Sequence, residues 1–322
     1  MAKGSKVGLY VQVASAAQAA PLPTAPPTPT VQQVPKETTS TGSFPPPGPG
    51  VKPVFIYRVN ADGRLLWARH DGAERGDALQ TPGAWVGPRP VGEGWNDMKA
   101  VFGGGGNSLY GIDRGGLLKW YQHNGFNTGA GLETSGAWEG PKDVGRGWGG
   151  MQHVFSAGDG IIYTIADDGI LRWYKHNGVR TGAGLEASGS WEGPKDVGRG
   201  WGGLQHVFSA GDGIIYTIAD DGILRWYKHN GFRTGAGLQT PGAWEATKDV
   251  GRGWEGLKQV FSGGDGIIYT IAENGILRWY KHNGFGTGAG LETAGAWTGP
   301  KDIGRGWEHA TYVFALMPPP VR

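Results

Sequence analysis

The sequence predicts an all-β protein, a five-bladed β-propeller made of four-stranded antiparallel blades. Its fifteen tryptophans fall into three series, and within each series five tryptophans follow one another at steps of 53 residues. Periods of this length are typical of solenoids, propellers and arrays. The 62 glycines and the short β-branched runs between them indicate strands joined by tight turns. Five copies of a four-stranded unit make a closed propeller.

The three tryptophan series mark three places in the repeated unit. The strand tryptophans lie in the middle of a strand candidate and are expected in the core: Trp67, Trp120, Trp173, Trp226 and Trp279. The loop tryptophans follow a glycine-rich loop: Trp85, Trp138, Trp191, Trp244 and Trp297. The turn tryptophans end a Gly-x-Gly-Trp turn and fit a core position or a pocket wall equally well: Trp95, Trp148, Trp201, Trp254 and Trp307.

Each unit contains four strand candidates, which the third copy shows well. The first two are Gly160–Ala166 and Ile170–His176, and the Asp-Asp-Gly between them is a hairpin signal. After the glycine-rich loop, a less regular strand covers about Ser190–Val197, and Leu204–Ser209 is the fourth. β-branched and aromatic residues are enriched in these runs, as in strands generally.

The two ends of the repeat predict how the ring closes. The first unit begins on the strand Val54–Val59, and the last ends on Tyr312–Leu316, which corresponds to Leu204–Ser209. The last strand therefore lacks partners in its own unit, and pairing with the first unit would remove both open edges. We expect a tail at residues 1–52 and a propeller at 53–322. Its repeats span about 53–105, 106–158, 159–211, 212–264 and 265–322.

The N-terminal tail has a composition of its own. Residues 21–50 are rich in proline, threonine and glycine, which predicts an extended, semi-rigid spacer. Residues 1–20 have a basic start and an alanine-rich end, but Gln12 and Ser15 interrupt the apolar run, so a cleaved secretion signal is not favoured. This tail is a floppy linker, or it is an anchor in which residues 1–20 dock onto a larger assembly.

Composition limits the class of partner. The net charge is +2, without the clustered basic face of a nucleic-acid-binding protein. The chain has no cysteine, so disulfides and thiolate metal sites are excluded. No apolar run reaches the roughly 20 residues of a membrane-spanning helix. We expect no nucleic-acid partner, no membrane span, no cofactor and no metal site.

The repeat resembles the blade of the tachylectin-2 family of five-bladed propeller lectins over about residues 54–316. The resemblance is carried by Gly-Arg-Gly-Trp, by Val207-Phe208 in the next strand, by Gly-Asp-Gly-Ile-Ile-Tyr and by Asp-Gly-Ile-Leu, which follow one another from Gly198 to Leu224. It departs in the loop Asn177–Gly189, which is longer and richer in glycine. The resemblance implies binding of N-acetylated amino sugars, such as GlcNAc or GalNAc, in pockets between adjacent blades.

Three sets of residues are candidates for sugar contact. The loop tryptophans stack on a sugar ring or pack between blades. The arginines of the Gly-Arg-Gly-Trp turn offer a rigid fork of donors to a ligand or join two blades: Arg146, Arg199, Arg252 and Arg305. The asparagines after each strand histidine can donate and accept hydrogen bonds or can simply form a turn: Asn124, Asn177, Asn230 and Asn283. In the first copy, Glu93 stands at the arginine position and Asp71 at the asparagine position. The five sites are therefore predicted to be unequal.

The leading functional hypothesis is therefore a multivalent carbohydrate-binding protein that is not an enzyme. Candidate groups repeat around a ring, whereas acid–base catalysis needs groups in distinct environments. The alternative is a structural or attachment component of a virion or secreted fibre, docked through its tail and compatible with glycan binding. Both hypotheses place the protein outside the cell or on a particle surface.

Overall fold

The computed structural model describes residues 43–316, which form twenty β-strands and one 3-10 helix at Trp95–Asp97. The predicted anchor at residues 1–20 lies outside the described residues, as does most of the proline-rich tract. The strands are β1 Val54–Asn60, β2 Leu65–His70, β3 Trp85–Gly92, β4 Met98–Gly105, β5 Ser108–Asp113, β6 Leu118–His123, β7 Trp138–Gly145, β8 Met151–Gly158, β9 Ile161–Ala166, β10 Ile170–His176, β11 Trp191–Arg199, β12 Leu204–Gly211, β13 Ile214–Ala219, β14 Leu224–Lys228, β15 Lys248–Gly251, β16 Leu257–Gly264, β17 Ile267–Ala272, β18 Leu277–His282, β19 Trp297–Gly304 and β20 Ala310–Leu316.

The strands form five antiparallel sheets of four strands each, which confirms the predicted five-bladed propeller. Blade 1 has the order β20-β1-β2-β3, and blades 2 to 5 follow as β4 to β7, β8 to β11, β12 to β15 and β16 to β19. The first strand of each blade contacts its counterparts in the neighbouring blades, so these five strands surround the central axis. Each 53-residue repeat thus gives three strands to one blade and the inner strand to the next.

The ring closes as the ends of the sequence predict. Strand β20 pairs antiparallel with β1, with Phe55 opposite Leu316 and Tyr57 opposite Phe314. The first and last parts of the propeller therefore belong to one sheet, and β20 covers the edge that β1 would otherwise leave open. Most strand bounds agree with the sequence pattern, although β11 begins at Trp191 and extends to Arg199.

The core consists of five hydrophobic clusters, one between each pair of neighbouring blades. The strand tryptophans are at most 1% exposed, as predicted for the core. An aromatic side chain of this size buries roughly 150–250 Å². With no disulfide available, this burial and the closed ring hold the blades together.

The glycine-rich loop of each blade lies across the preceding blade. In blade 3, Gly182 sits on the ring of Trp120, and a Cβ placed on this glycine would come within 2.4 Å of the ring. The indole N–H of Trp120 donates to the carbonyl oxygen of Val179 at 2.7 Å, and Lys142 Nζ lies 5.0 Å from the ring centroid. The loop is rich in glycine because its backbone must touch a tryptophan face.

The described end of the tail is fastened to blades 1 and 2. The backbone N–H of Phe44 donates to Thr128 O at 2.8 Å, and the Phe44 ring stacks on Trp67. Arg69, which is 3% exposed, donates through Nη1 to Pro45 O at 2.7 Å. Its other nitrogens form a two-pronged ion pair with Asp71. The first-copy residue Asp71 therefore orients the arginine that holds the tail.

Candidate functional site: the interblade junctions

The space between neighbouring blades is built from the same parts five times, and we call each of these spaces a junction, numbered by its two blades. Junction 2/3 serves as the example. Blade 2 contributes the end of β7 and the turn that carries Trp148, and blade 3 contributes β10, the glycine-rich loop and Trp191. Each junction has a buried inner layer and a partly exposed outer layer.

The inner layer centres on a histidine that is fully buried in all five copies. In junction 2/3, Tyr110 of blade 2 donates its hydroxyl hydrogen to His176 Nδ1 of blade 3 at 2.6 Å. His176 Nε2 donates to the carbonyl oxygen of Ala183 at 2.7 Å. A carbonyl can only accept, so Nε2 carries a proton, and Nδ1 accepts from the tyrosine hydroxyl when the ring is neutral. The equivalent tyrosine–histidine pairs are Tyr57–His123, Tyr163–His229, Tyr216–His282 and Tyr269–His70.

Burial shifts the titration of both partners. Desolvation lowers the pKa of His70 and of His123 from 6.5 to about 4, and it lowers the pKa of the other three histidines in the same direction. It also raises the pKa of Tyr110 well above 10. Both groups are therefore neutral at physiological pH, and the inner layer holds the blades without charge.

The loop tryptophan joins the inner layer to the outer one. The Trp191 ring stacks on His176 with centroids 4.4 Å apart, and its indole N–H donates to Val144 O of blade 2 at 2.8 Å. The Trp191 ring lies 5.7 Å from that of Trp148, tilted by 46°. The side chain is half-buried, so it packs between blades and still presents an edge to solvent. The same bond to the preceding blade recurs for Trp138, Trp244 and Trp297.

The outer layer also contains two apolar residues that the sequence patterns do not single out. The half-buried ring of Tyr174 packs on Trp148 with centroids 4.9 Å apart. Leu185, in the glycine-rich loop, is 54% exposed, and its counterparts Leu132, Leu238 and Leu291 are 62%, 55% and 52% exposed. A signal for these leucines was present, since Gly-Leu follows Gly-Ala in four of five loops, but exposure cannot be read from that motif.

The turn arginines lie at the outer rim of the junctions. Arg146, Arg199 and Arg252 are exposed and Arg305 is half-buried. Arg146 follows Val144 by two residues, so it belongs to the junction that receives Trp191. Within residues 43–316, none of the four arginine side chains forms a hydrogen bond or an ion pair. Their guanidinium groups are thus available to a ligand, and their role in sugar binding or in joining blades stays a prediction.

The candidate asparagines close their own loops. Asn177 Nδ2 donates to Gly189 O at 3.0 Å, and the same bond recurs at Asn124, Asn230 and Asn283 with distances between 2.9 and 3.1 Å. All four side chains are exposed, although the amide oxygen of Asn124 also accepts hydrogen bonds from Asn107 Nδ2 at 3.2 Å and Gln122 Nε2 at 3.1 Å. The loop tryptophan reaches the strand end of the preceding blade that leads to the arginine turn, whereas the asparagine amide nitrogen is engaged in its own loop.

Junction 5/1 differs from the other four in its outer layer. Ala68 stands where the others have Tyr121, Tyr174, Tyr227 or Tyr280, so the turn tryptophan Trp307 has no tyrosine against it. Arg58 lies over the Trp307 ring at 5.2 Å and donates to Gly306 O at 3.3 Å. The Trp307 Nε1 atom is buried without a hydrogen-bond partner among the described residues. A cleft lined by Leu79, Trp85 and Trp307 results.

Comparisons with known proteins identify the family to which this chain belongs. A family model described as Tachylectin matches residues 130–314, more than half of the chain. The chain belongs to the tachylectin family. A search of the curated proteins finds no match.

Several solved structures are similar in fold to this tachylectin-family chain. One is a symmetrical protein studied for its de novo evolutionary emergence, with 16% identity, a TM-score of 0.50 and coverage of 82% of this chain and 99% of that one. The six-bladed fucose-recognising lectin of Aleuria aurantia has 15% identity, a TM-score of 0.38 and coverages of 78% and 73%. The lectin BP39L of Burkholderia pseudomallei has 16% identity, a TM-score of 0.35 and coverages of 79% and 67%. Identity this low bears on the fold alone.

Within residues 43–316, no helix has the length and apolar character needed to cross a bilayer. No group of three or more metal-ligating side chains comes together in that range either.

Proposed function

We propose that this protein is a multivalent lectin that binds N-acetylated amino sugars, such as GlcNAc or GalNAc, at the outer layer of its junctions. The observation that carries the proposal is the recurrence of one surface at four junctions. Each of these surfaces combines a half-exposed loop tryptophan with an exposed leucine and a half-buried tyrosine. Membership of the tachylectin family supports carbohydrate binding, and the family resemblance implies the acetamido sugars.

The chemistry of this surface suits a sugar. The C–H face of a pyranose ring is apolar and packs on aromatic or aliphatic side chains, while its hydroxyls need donors and acceptors. The exposed guanidinium of Arg146 offers donors two residues beyond Val144, whose carbonyl oxygen accepts the indole N–H of Trp191. The carboxylate of Glu186 follows Leu185 in the glycine-rich loop. In the proposed role the protein holds its ligand without turning it over.

Repetition compensates for a small site. A single shallow sugar site is weak, because few contacts must outweigh the cost of ordering the ligand. Several sites on one rigid ring raise the effective concentration of a clustered glycan, and the gain in avidity is about 10²–10⁴. Dense glycan surfaces are thus the expected partners, which agrees with a place outside the cell or on a particle surface.

The test is a titration of the purified protein with N-acetylglucosamine and N-acetylgalactosamine, with glucose and galactose as controls that lack the acetamido group. Because Trp191 and its counterparts lie at the surface, their fluorescence should change on binding. We expect a response to the acetamido sugars at millimolar concentration and a smaller one to the controls. No response to any acetamido sugar would exclude this ligand class.

A second candidate function is attachment to a larger particle through the N-terminal tail. The contacts of Phe44 and Arg69 favour it, because they fasten the tail to the propeller and would transmit a pull on residues 1–42 to blades 1 and 2. A chain that begins at residue 43 should keep glycan binding and lose association with the parent particle. Retained association would exclude this role.

A further inference from the structure

We propose that junction 5/1 is held closed by Leu79, so that the propeller offers four working sugar sites, and that the methyl group of Ala78 is the cause. The inference rests on the proposed function for its sugar and on geometry for the closed loop. Four junctions show one arrangement of the glycine-rich loop, and junction 5/1 shows another.

The two arrangements differ in the donor that reaches the preceding blade. In junction 2/3, Val144 O accepts the indole N–H of Trp191, and the backbone N–H of Leu185 has no hydrogen bond among the described residues. In junction 5/1, Ile303 O corresponds to Val144 O and accepts the backbone N–H of Leu79 at 3.0 Å. The displaced loop tryptophan, Trp85, donates at 3.0 Å to Asp77 O in its own loop.

The exposure of the loop leucine also differs between the two arrangements. Leu185 and its three counterparts are more than half exposed, whereas Leu79 is half-buried and lines the cleft beside Trp85 and Trp307. A Cβ placed on Gly304 would lie 3.2 Å from Leu79 Cδ1, which shows how closely the leucine covers the end of β19. The tyrosine that would otherwise occupy this space is Ala68, so the leucine has room to enter.

One methyl group explains why the loop of blade 1 cannot adopt the common arrangement. Ala78 stands where the other loops have glycine, and a Cβ on Gly184 would come within 2.7 Å of Asp143 O and 3.0 Å of Val144 Cα. A Cβ on Gly237 would meet Asp196 O at 2.8 Å. These neighbours are backbone atoms of the preceding blade and cannot swing away. Ala78 must therefore lie farther from the preceding blade. The backbone N–H of the next residue, Leu79, then donates to Ile303 O, the carbonyl that corresponds to the acceptor of the loop tryptophan in the other junctions.

The closed junction has little room for a sugar. Its cleft measures about 380 Å³ with its open mouth included, but only about 20 Å³ of it accepts a water-sized group. That space holds one water molecule, which needs at least about 10–15 Å³ by the same measure. A pyranose ring would have to displace Leu79 from Trp307. Junction 5/1 is therefore the junction that is expected to bind no sugar.

The experiment exchanges the two arrangements by substitution at the loop glycine position and, for junction 5/1, also at the tyrosine position. Gly184→Ala should close junction 2/3, and the pair Ala78→Gly with Ala68→Tyr should open junction 5/1. The matched control is Gly286→Ala, because this loop glycine has no atom within 4 Å of a built Cβ and no positive φ. Crystals of each variant are soaked in N-acetylglucosamine, and the occupied junctions are counted. We expect four bound sugars in the unaltered protein and in the control, three in the first variant and five in the second.

Amide hydrogen exchange tests the closed loop without a ligand. The Leu79 N–H should exchange more slowly than that of Leu185, and Gly184→Ala should slow Leu185 to a similar rate. Sugar density at junction 5/1 of the unaltered protein, or fast exchange at Leu79, would overturn the inference. If exchange behaves as expected and no junction binds the sugar, the switch of the loop is upheld, and both the proposed function and the count of four fail.

Discussion

The inner and outer layers of the junctions differ in how strictly they repeat. The inner layer is the same in all five copies: a strand tryptophan under a loop glycine, and a tyrosine–histidine pair stacked on a loop tryptophan. The outer layer keeps its tyrosine and its exposed leucine in four copies. In the fifth, at junction 5/1, Ala68 replaces the tyrosine and the leucine, Leu79, is half-buried. The contrast teaches that ring closure requires an identical interior, whereas the rim can change at one junction without harm to the fold.

The largest expected effect on stability comes from truncating a strand tryptophan of the inner layer. Trp173→Ala should lower the free energy of unfolding by about 3–5 kcal/mol, because the truncation leaves a cavity between two blades. The partly exposed Trp191→Ala in the same blade is the paired measurement and should cost less, since solvent can fill the space. Urea unfolding of both variants gives the comparison. Equal losses would show that the two layers contribute alike to stability.

Acid should weaken the inner layer before it affects the rim. The pKa of His70 and His123 is about 4 in the folded protein, against 6.5 for an ordinary histidine. The unfolded chain therefore binds more protons between these values, so stability is full above pH 6.5 and falls as the pH drops toward 4. A shift of this size corresponds to about 3 kcal/mol for each of these two histidines.

The measurement is the urea midpoint at a series of pH values between 7.5 and 4.5, with fixed ionic strength. A flat stability between pH 7 and pH 5 would mean that the buried histidines tolerate a proton, and the neutral inner layer would then be wrong.

The hydroxyl of the inner tyrosine has a smaller expected effect. Tyr110→Phe leaves the buried His176 Nδ1 without its donor, which should cost about 1–3 kcal/mol. Tyr174→Phe is the matched change in the outer layer of the same junction, where the half-buried ring packs on Trp148. Thermal unfolding of the two variants should separate them, and a loss at Tyr174 as large as at Tyr110 would contradict the division into layers.

The sequence predicts the inner layer's tryptophans and the closure of the ring, because both follow from periodicity alone. The 53-residue step places five copies, and the offset of Val54–Val59 from Tyr312–Leu316 requires β1 and β20 to pair. The tyrosine–histidine pairs escape such reasoning. Each joins residues of different blades, such as Tyr110 and His176, and their contact depends on the twist of two sheets that no local pattern specifies.

The outer layer is harder to predict for a similar reason. The way the glycine-rich loop lies against the preceding blade decides whether the loop tryptophan or the loop leucine donates to that blade, as Trp191 and Leu79 show. This is a property of packing between blades. The first copy gives a further lesson. Asp71 looks like a lost asparagine in a sugar site, yet the structure pairs it with Arg69 in holding the tail. A departure from the repeat can therefore mark a new structural task as readily as an altered site.

The smallest effect is expected where the tail meets junction 1/2. Phe44→Ala removes a stacked pair with Trp67, and such aromatic pairs contribute about 0.5–1.5 kcal/mol. The tail should then detach locally, because the Phe44 N–H bond to Thr128 O is its neighbouring contact. Faster exchange of the Phe44 N–H, with an unfolding midpoint close to that of the unaltered protein, would show that the tail contact adds little to the stability of the propeller. A loss as large as that for Trp173→Ala would instead make the tail part of the interior.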